Sequence, residues 1–523
     1  MNTLKKNNLK LQNLQILKKA LKKPLQTIFY MTHEPKLGPP PCAIKISDCI
    51  WEIPISYKEG MRVPARIYAN ETLIKSMDAG VFEQVTNVAS LPGIQKTAFC
   101  MPDGHWGYGF PIGGVAAFDP KEGGIISPGG IGFDINCGMR LITTNLTVDE
   151  VKPKIKELVD ALYKAVPAGV GCKGTVRLSK EQFNDILVNG AQWCVNNNFA
   201  WKEDLEFIEE HGCIKGADPS KVSPEAVKRG LDQLGTLGSG NHYLEIQVVE
   251  EENVFDWETA KVMGINKPGQ IVIMVHCGSR GFGHQVGTDY LRSFLEVMPK
   301  YGLKVLDREL ACAPFNSPEG QAYYACMAGA ANMAFANRQV ILHRVREVFS
   351  KIFNKTAEEM EIKLVYDVAH NIAKLEKHKV DGVEKELLVH RKGATRAFGP
   401  SRAADLPKKY AKIGQPIIIG GSMETGSYLL VGTDHADMET FASTAHGAGR
   451  VMSREAAKRQ YRGDSLQKDL EKRGIYVHGS TMAGLAEEAG AAYKDINQVV
   501  ETLERTGITR RVVALKPIGN VKG

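Results

Sequence analysis

Gly129-Gly-Ile-Gly-Phe-Asp134-Ile-Asn-Cys137-Gly-Met-Arg140 sets a carboxylate three residues ahead of a thiol inside a glycine-dense turn. Glycine admits positive φ and close backbone approach, so such a turn can aim Asp134 and Cys137 at one point. A carboxylate and a thiol are metal ligands once imidazoles join them. Alone, the pair reads as a buried thiol beside a turn-capping acid. The rest of the chain decides between these readings.

Three histidines stand at the ends of apolar runs. Gln270-Ile-Val-Ile-Met-Val275 is of strand length and ends in His276. Ile362–Ala369 is a second such run and ends in His370-Asn371. Leu237-Gly-Ser-Gly-Asn241 leads into His242 and the strand-like Tyr243–Val249. Strand ends are rigid platforms that hold ligands to within about half an ångström. Together with Asp134 and Cys137 they exceed the four ligands of a closed zinc site. They suit two ions sharing a ligand, and a thiolate can bridge. Ligand softness favours zinc or iron, so spacing does not identify the metal.

A fourth histidine has different surroundings. His446 lies in Ser443-Thr-Ala-His-Gly-Ala-Gly-Arg450, among small residues that leave its ring accessible. A helix is expected over Val451–Arg459, starting at Arg450, with its N-terminus toward a phosphate. Upstream, Pro416–Ile419 runs into Gly420-Gly-Ser-Met-Glu-Thr-Gly-Ser427, a loop whose backbone N–H groups can surround phosphate oxygens. There is no Gly-x-x-x-x-Gly-Lys-Ser/Thr, which argues against a P-loop. His284, His390 and His478 read as structural or supporting. Arg280, Arg391, Lys392 and Arg396 read equally as a solvated face or as partners for polynucleotide phosphates.

Composition bounds these readings. The chain has 523 residues, 43% hydrophobic and 24% charged, as ordinary globular proteins do. No run of eighteen apolar residues suggests a membrane span. A net charge of +7 permits an RNA partner without requiring one. The ten cysteines form no Cys-x-x-Cys pair, which points to a reducing, cytoplasmic setting. Met1–Thr32 has many lysines and no acid, and Gly38-Pro-Pro-Pro41 follows, so residues 1–43 read as a flexible basic extension. No secretory signal is evident there.

From Ile44 onward the texture is globular. Trp51–Tyr68 and Phe99–Phe118 read as strands and glycine turns. Val148–Ala165, Lys180–Asn197, Leu291–Leu306 and Gly320–Phe353 read as helices, and 200–233 as irregular. No linker divides residues 44–523, so one large domain with a helical insertion over about 291–353 is expected.

In combination these motifs resemble those of the RtcB RNA ligases, from about Ile44 to Gly523. The resemblance rests on Asp134-Ile-Asn-Cys137, Gly238-Ser-Gly-Asn-His242, His276-Cys-Gly-Ser-Arg280, His370-Asn371, His390-Arg-Lys-Gly-Ala-Thr-Arg396, His446-Gly-Ala-Gly-Arg450 and Lys516-Pro-Ile-Gly-Asn-Val-Lys-Gly523. It implies an α+β fold, one large domain of mixed and antiparallel sheets with flanking helices and a deep metal-containing cleft. It implies a GTP- and Mn²⁺-dependent ligase of tRNA splicing or RNA repair. That enzyme joins an RNA 3′-phosphate or 2′,3′-cyclic phosphate to a 5′-hydroxyl through a GMP–histidine and an RNA-3′-pp-5′-G intermediate. By the same resemblance, Asp134, Cys137 and His242 hold one Mn²⁺, and Cys137, His276 and His370 the other. His446 is the nucleophile, and Asn241, Glu245, Asn371, Gly421, Ser422, Ser427, Gly449, Tyr493 and Lys522 contact the guanylate. A monomer, an RNA substrate, an archease-type activator and no membrane complete that expectation. Gly420 and Glu424 depart from the Pro-Gly-Ser-Met-Gly-Thr loop of the resemblance, and Glu424 brings negative charge toward the nucleotide. The rival readings are a two-metal cyclic-phosphate phosphoesterase, which gives His446 no covalent task, and an RNA-binding protein with a structural metal.

Overall fold

Alternation along two central strands sets the layers. In Gln270–Cys277, Ile271, Ile273, Val275 and Cys277 enter one hydrophobic core, while Val272 and Met274 enter another. In Gly138–Thr147, Ile142 and Leu146 face the first core, and Met139 and Leu141 the second. Successive side chains of a strand point to opposite faces, so an unbroken apolar run marks a strand covered on both sides.

The computed structural model describes residues 36–523. The basic extension expected over residues 1–43 lies outside the described residues up to residue 35. Leu37–Gly523 forms one compact unit, an α+β fold of two large sheets. Among the described residues no helix is long and apolar enough to cross a membrane.

One sheet has eight strands. Seven are antiparallel in the order Lys363–Ala369, Gly138–Thr147, Gln270–Cys277, Tyr243–Val254, Thr509–Lys522, Ser427–Gly432 and Pro416–Ile419. Tyr476–Gly479 joins Thr509–Lys522 in parallel. The other sheet has seven strands and is mixed, because Ala65–Tyr68 and Ala98–His105 run parallel. Its core is closed by helices Glu71–Ser76, Ala79–Val88 and Ile496–Arg505. Asn70 and Asp78 cap the first two through their side chains, as Asn and Asp do where backbone donors lack partners.

Helix Pro318–Phe353 runs through the interior against the eight-stranded sheet. Ser317 caps it, Pro318 occupies its first turn, and Asn354 ends it at φ 51°. Its Ala- and Met-rich middle is buried as expected, and it also carries a buried cation. Arg338 donates to both carboxylate oxygens of Asp367 at 2.8 Å, and Arg140 Nε donates to the same group at 2.7 Å. Breaking such a buried pair costs about 3–5 kcal/mol. Arg338 Nη1 further donates to Asn136 O at 2.7 Å and Cys277 O at 2.8 Å. The interior helix thereby grips the backbone just before Cys137 and the neighbouring strand at Cys277.

Four helix expectations change. Val148–Ala165 divides into Val148–Val151 and Ile155–Ala165 around a 3₁₀ turn, Lys152–Lys154, that holds Pro153. Lys180–Asn197 divides into Lys180–Asn189 and Ala191–Asn196, because Gly190 takes φ 53° and ψ −132°. The helix expected at Leu291–Leu306 occupies Arg280–Val297 and gives way to a 3₁₀ turn holding Pro299. The helix expected over Val451–Arg459 covers Arg454–Gln460 and is capped by Ser453, so Arg450 precedes it and its N-terminus does not begin beside His446.

Candidate active site

Strand register gathers the five predicted ligands at one end of the eight-stranded sheet. Met139 pairs with both His276 and Val368, Tyr243 pairs with His276, and Ala369 pairs with Gly138. Cys137 precedes the first of these strands, His242 precedes the second, and His370 follows Ala369. Neighbouring strands lie about 4.8 Å apart, so four donors from four strands meet. The turn is closed by Asn136 N donating to Asn371 O at 2.7 Å and His370 N donating to Cys137 O at 2.9 Å. Asn136 takes φ 53° there.

The donor atoms form a continuous chain. Asp134 Oδ2 lies 2.9 Å from His242 Nε2. Cys137 Sγ lies 3.2 Å from His242 Nε2 and 3.1 Å from His276 Nε2. His276 Nε2 lies 3.2 Å from His370 Nε2. His276 Nδ1 faces Asn241 O at 3.0 Å, and a carbonyl only accepts, so the proton is on Nδ1 and the Nε2 lone pair faces Cys137. Gly278 leaves room for the carboxylate, since a Cβ there would stand 2.4 Å from Asp134 Oδ1.

Electrostatics supports a cation in this cluster. Burial would raise the Asp134 carboxyl, but the hydrogen bond and charge of His242, with Arg280, hold it down at about 2. Burial, with Asp134 adding to it, pushes the Cys137 thiol up to about 12. Burial lowers His276 and His370 well below the ordinary imidazole value, helped by the neighbouring imidazoles. Nitrogen lone pairs, a carboxylate and a sulfur therefore converge in a buried space. Such a donor set is costly when bare and is satisfied by metal ions, which would also deprotonate the thiol. The residues present fit a metal centre, and Cys137, His242 and His276 stand close enough together to share one ion.

His446 completes the row. It follows the short strand Ser443–Ala445, which pairs with Ala394–Arg396, so it too stands at a strand end. Its ring centroid is 4.7 Å from that of His370. Behind it lies Asp103, fully buried in strand Ala98–His105, with Oδ2 2.6 Å from His446 Nδ1. The same oxygen accepts from His446 N at 3.2 Å and Gly447 N at 3.3 Å. Burial would raise Asp103, but the charges of His446, His105 and Lys494 hold its carboxyl below the usual range. The two atoms are close without meeting at hydrogen-bond geometry, but a carboxylate beside Nδ1 favours the proton there and leaves the Nε2 lone pair available toward the cleft. Asp103, two residues beyond the apolar run Ala98–Met101 in a glycine-rich stretch, carries no sign of this role in the sequence.

A cleft of about 390 Å³ opens over these groups. Of the nine predicted nucleotide residues, Asn241, Asn371, Gly421, Ser422, Gly449, Tyr493 and Lys522 border it. Glu245 and Ser427 lie behind its wall, where Gln247 Nε2 donates to Glu245 Oε1 at 2.5 Å and Ser427 Oγ at 3.2 Å. Burial raises Glu245 to about 7 despite Gln247, Asn520 and Lys522. Glu488, unremarked in the sequence, borders the cleft and accepts from Lys522 Nζ and Arg450 Nη1, both at 3.1 Å. Glu424 is not turned into the cleft. Its carboxylate accepts from Gly490 N at 2.6 Å and Arg473 Nη1 at 2.9 Å.

The other basic and imidazole groups separate clearly. Arg391 is fully buried and pairs with Glu376 at 2.6 and 2.8 Å, and buried Arg396 pairs with Glu210 at 2.7 Å. Neither is a solvated face or available to a polynucleotide, because Glu376 on the neighbouring strand and Glu210 from a distant segment neutralise them. Arg280 donates to Thr236 Oγ1 at 3.0 Å. Lys392 borders the cleft, donates to Gly129 O at 3.0 Å, and is pulled down to about 7 by burial. His390 accepts from Ser127 N at 3.2 Å, and His478 pairs with Asp160 at 2.6 Å. His284 lies against Phe133.

Comparison with known proteins matches residues 84–523 to the family described as "tRNA-splicing ligase RtcB". The "tRNA-splicing ligase RtcB" of Thermococcus kodakarensis is 55% identical over 480 residues, covering 92% of this chain and 98% of that protein. That of Methanococcus maripaludis is 53% identical over 479 residues, covering 92% and 99%. That of Nanoarchaeum equitans is 49% identical over 481 residues, again covering 92% and 99%.

Proposed function

The chain belongs to the RtcB family of tRNA-splicing ligases, and from that premise we propose that it joins RNA ends in tRNA splicing or RNA repair, sealing a 3′-phosphate or 2′,3′-cyclic phosphate to a 5′-hydroxyl with GTP and Mn²⁺. It is an RNA ligase by family. GTP, Mn²⁺ and the residue roles below are our reading of its site.

The reading rests on the His446–Asp103 pair standing beside the metal-ligand row. With Nδ1–H held against Asp103, Nε2 of His446 attacks the α-phosphorus of GTP, and pyrophosphate leaves. Asp103 balances the positive charge that the ring gains when Nε2 forms its bond. The phosphorus–nitrogen bond keeps high transfer potential, so GMP passes to the RNA 3′-phosphate and gives RNA-3′-pp-5′-G. The 5′-hydroxyl then displaces GMP and forms the phosphodiester. A cyclic phosphate must first be opened by water.

Asp134, Cys137 and His242 would hold one Mn²⁺, and Cys137, His276 and His370 the other, supplying positive charge opposite the phosphoryl oxygens. Ligand softness does not select manganese, so its identity follows from family membership alone. Asn241, Asn371, Gly421, Ser422, Gly449, Tyr493 and Lys522 receive the guanylate, with Glu245 and Ser427 directly behind them. A monomeric, cytoplasmic enzyme aided by an archease-type activator belongs to the same proposal.

Incubation with α-labelled GTP and Mn²⁺ gives an acid-labile protein–GMP adduct that is absent from His446→Ala. A wild type that binds two ions, measured by elemental analysis, yet takes up no label would favour a phosphoesterase.

A further inference from the structure

Three aromatic rings from three separate segments form a row beside the cleft. Tyr108 and Phe133 border the cavity, and their rings meet edge to face at 5.2 Å and 62°. Phe133 also lies nearly parallel to the imidazole of His284, at 4.9 Å and 24°. His284 belongs to helix Arg280–Val297 and is exposed, yet its ring lies flat on Phe133. The row is held from beneath. Gly287, three residues along the helix, faces Phe133, where a Cβ would stand 3.5 Å from the ring. The carbonyl of Tyr108 accepts from Lys392, and Gly109 N donates to Glu309 at 2.8 Å.

The position of the row suggests an occupant. Phe133 adjoins Asp134, at one end of the chain of donors that runs through His242, Cys137, His276 and His370 to His446. The loop assigned to the guanylate attaches at the other end, where Gly420 N donates to His446 O at 3.3 Å and Ala448 N donates to Gly420 O at 2.9 Å. Although Asn241 and Asn371 of the guanylate set stand beside His242 and Asp134, the Gly420–Ser427 loop places the bulk of the guanylate on the His446 side, which leaves an RNA end the side of Phe133. Unpaired RNA ends are held by stacking bases on aromatic and histidine rings, which tolerates any sequence because every base has a π face. The outer ring, His284, keeps part of its surface accessible beside the cleft.

We propose that Tyr108, Phe133 and His284 form a stacking platform for an unpaired nucleobase at the RNA end being joined. This rests on the RNA-ligase reading above. The phosphate would then lie toward Lys392 and the ligand row, with the base held outside it.

The test uses full-length protein and short RNAs that either carry every base or lack the terminal base at the 3′-phosphate end or at the 5′-hydroxyl end. Binding is read by fluorescence anisotropy. His284→Ala weakens binding of the intact RNA about tenfold, within the range of measured base–aromatic stacks. Removing the stacked base costs the wild type a similar factor, and His284→Ala then loses nothing more on the abasic RNA. The end at which this happens identifies the strand held. Phe133→Leu, which keeps apolar volume, repeats the comparison. Labelling by GTP, which needs no RNA, reports whether each variant is folded and loaded. If mutation and base removal multiply at both ends, the rings do not touch a base and the proposal falls. Base-dependent binding by a wild type that joins no ends would leave the platform standing and overturn the ligase reading instead.

Discussion

Replacing Asp103 with Asn tests whether His446 is a prepared nucleophile or simply an imidazole near a cleft. Asp103 Oδ2 stands 2.6 Å from Nδ1. An anion only accepts, so it keeps the ring proton on Nδ1. Once Nε2 bonds to phosphorus the ring is cationic, so the pair is stronger after the bond forms than before it. A hydrogen bond to a charged group contributes about 1.5–3 kcal/mol, which sets a floor of roughly 10- to 150-fold in rate. Coulomb's law over the 2.6 Å separation, at an effective dielectric of about 20, gives a ceiling of about 6 kcal/mol, or roughly 10⁴-fold. Asn is nearly isosteric, and its amide oxygen can still accept from His446 N and Gly447 N. Its NH₂ then occupies the Oδ1 position, which has no partner among the described residues. That costs about 1–3 kcal/mol of stability. The opposite amide orientation aims a donor at Nδ1 and drives the proton onto Nε2. Either arrangement slows attack. The assay is single-turnover labelling with α-labelled GTP, with metal content and thermal melting measured alongside. An Asp103→Asn protein that is folded, metal-loaded and labels within about threefold of wild type would refute the role assigned to this carboxylate.

Two further outcomes follow from the same geometry. Glu424→Ala should raise KM for GTP about tenfold in labelling assays, because it removes a charge-assisted bond to Gly490 N, between Glu488 and Tyr493, worth about 1.5–3 kcal/mol. The half-exposed Arg473 pair adds little, and an unchanged KM would mean that Met423, packed with Leu470 and Leu485, holds the loop alone. Glu245 has a folded-state pKa of about 7, above its ordinary 4.5, so the folded protein keeps a proton that the unfolded chain releases. Its contribution is therefore fully present below the ordinary value and is lost as pH rises through about 7. Between pH 5 and 8 the wild type should lose up to about 3 kcal/mol relative to Glu245→Gln, measured by denaturant melts, and parallel pH profiles for the two would exclude it.

The convergence of the candidate metal ligands was legible in part because three of them, His242, His276 and His370, end or begin apolar runs, and such runs become strands whose ends share one edge, while Asp134 and Cys137 share one glycine turn. Register then does what sequence spacing cannot show: Met139, His276 and Tyr243 fall side by side although they are far apart in the chain. Asp103 was not legible, because the residue that gives it meaning, His446, follows a strand whose partner is Ala394–Arg396 and not the strand of Asp103. Charge alone misled at Arg391 and Arg396. A guanidinium beside a glycine loop looks ready for phosphate, and only the fold reveals Glu376 and Glu210 already in contact with them. Helix Arg280–Val297 was placed too late because Gly281, Gly283 and Gly287 interrupt its apolar period at the turns that approach the site.

The position of Cys137 depends on more than its own turn. Asn136 in the left-handed region supplies the bend, but a bend of that kind is soft unless something fixes its carbonyls. Arg338 does so from the interior helix, donating to Asn136 O and Cys277 O while Asp367 neutralises it. Asp367 belongs to the strand that ends at His370, so one buried cation ties the thiol turn to strands carrying two of the imidazoles. The guanidinium fork, with several donors in one plane, suits this task better than an ammonium would. A helix that reads in sequence as plain apolar packing therefore fixes the spacing of the candidate metal ligands.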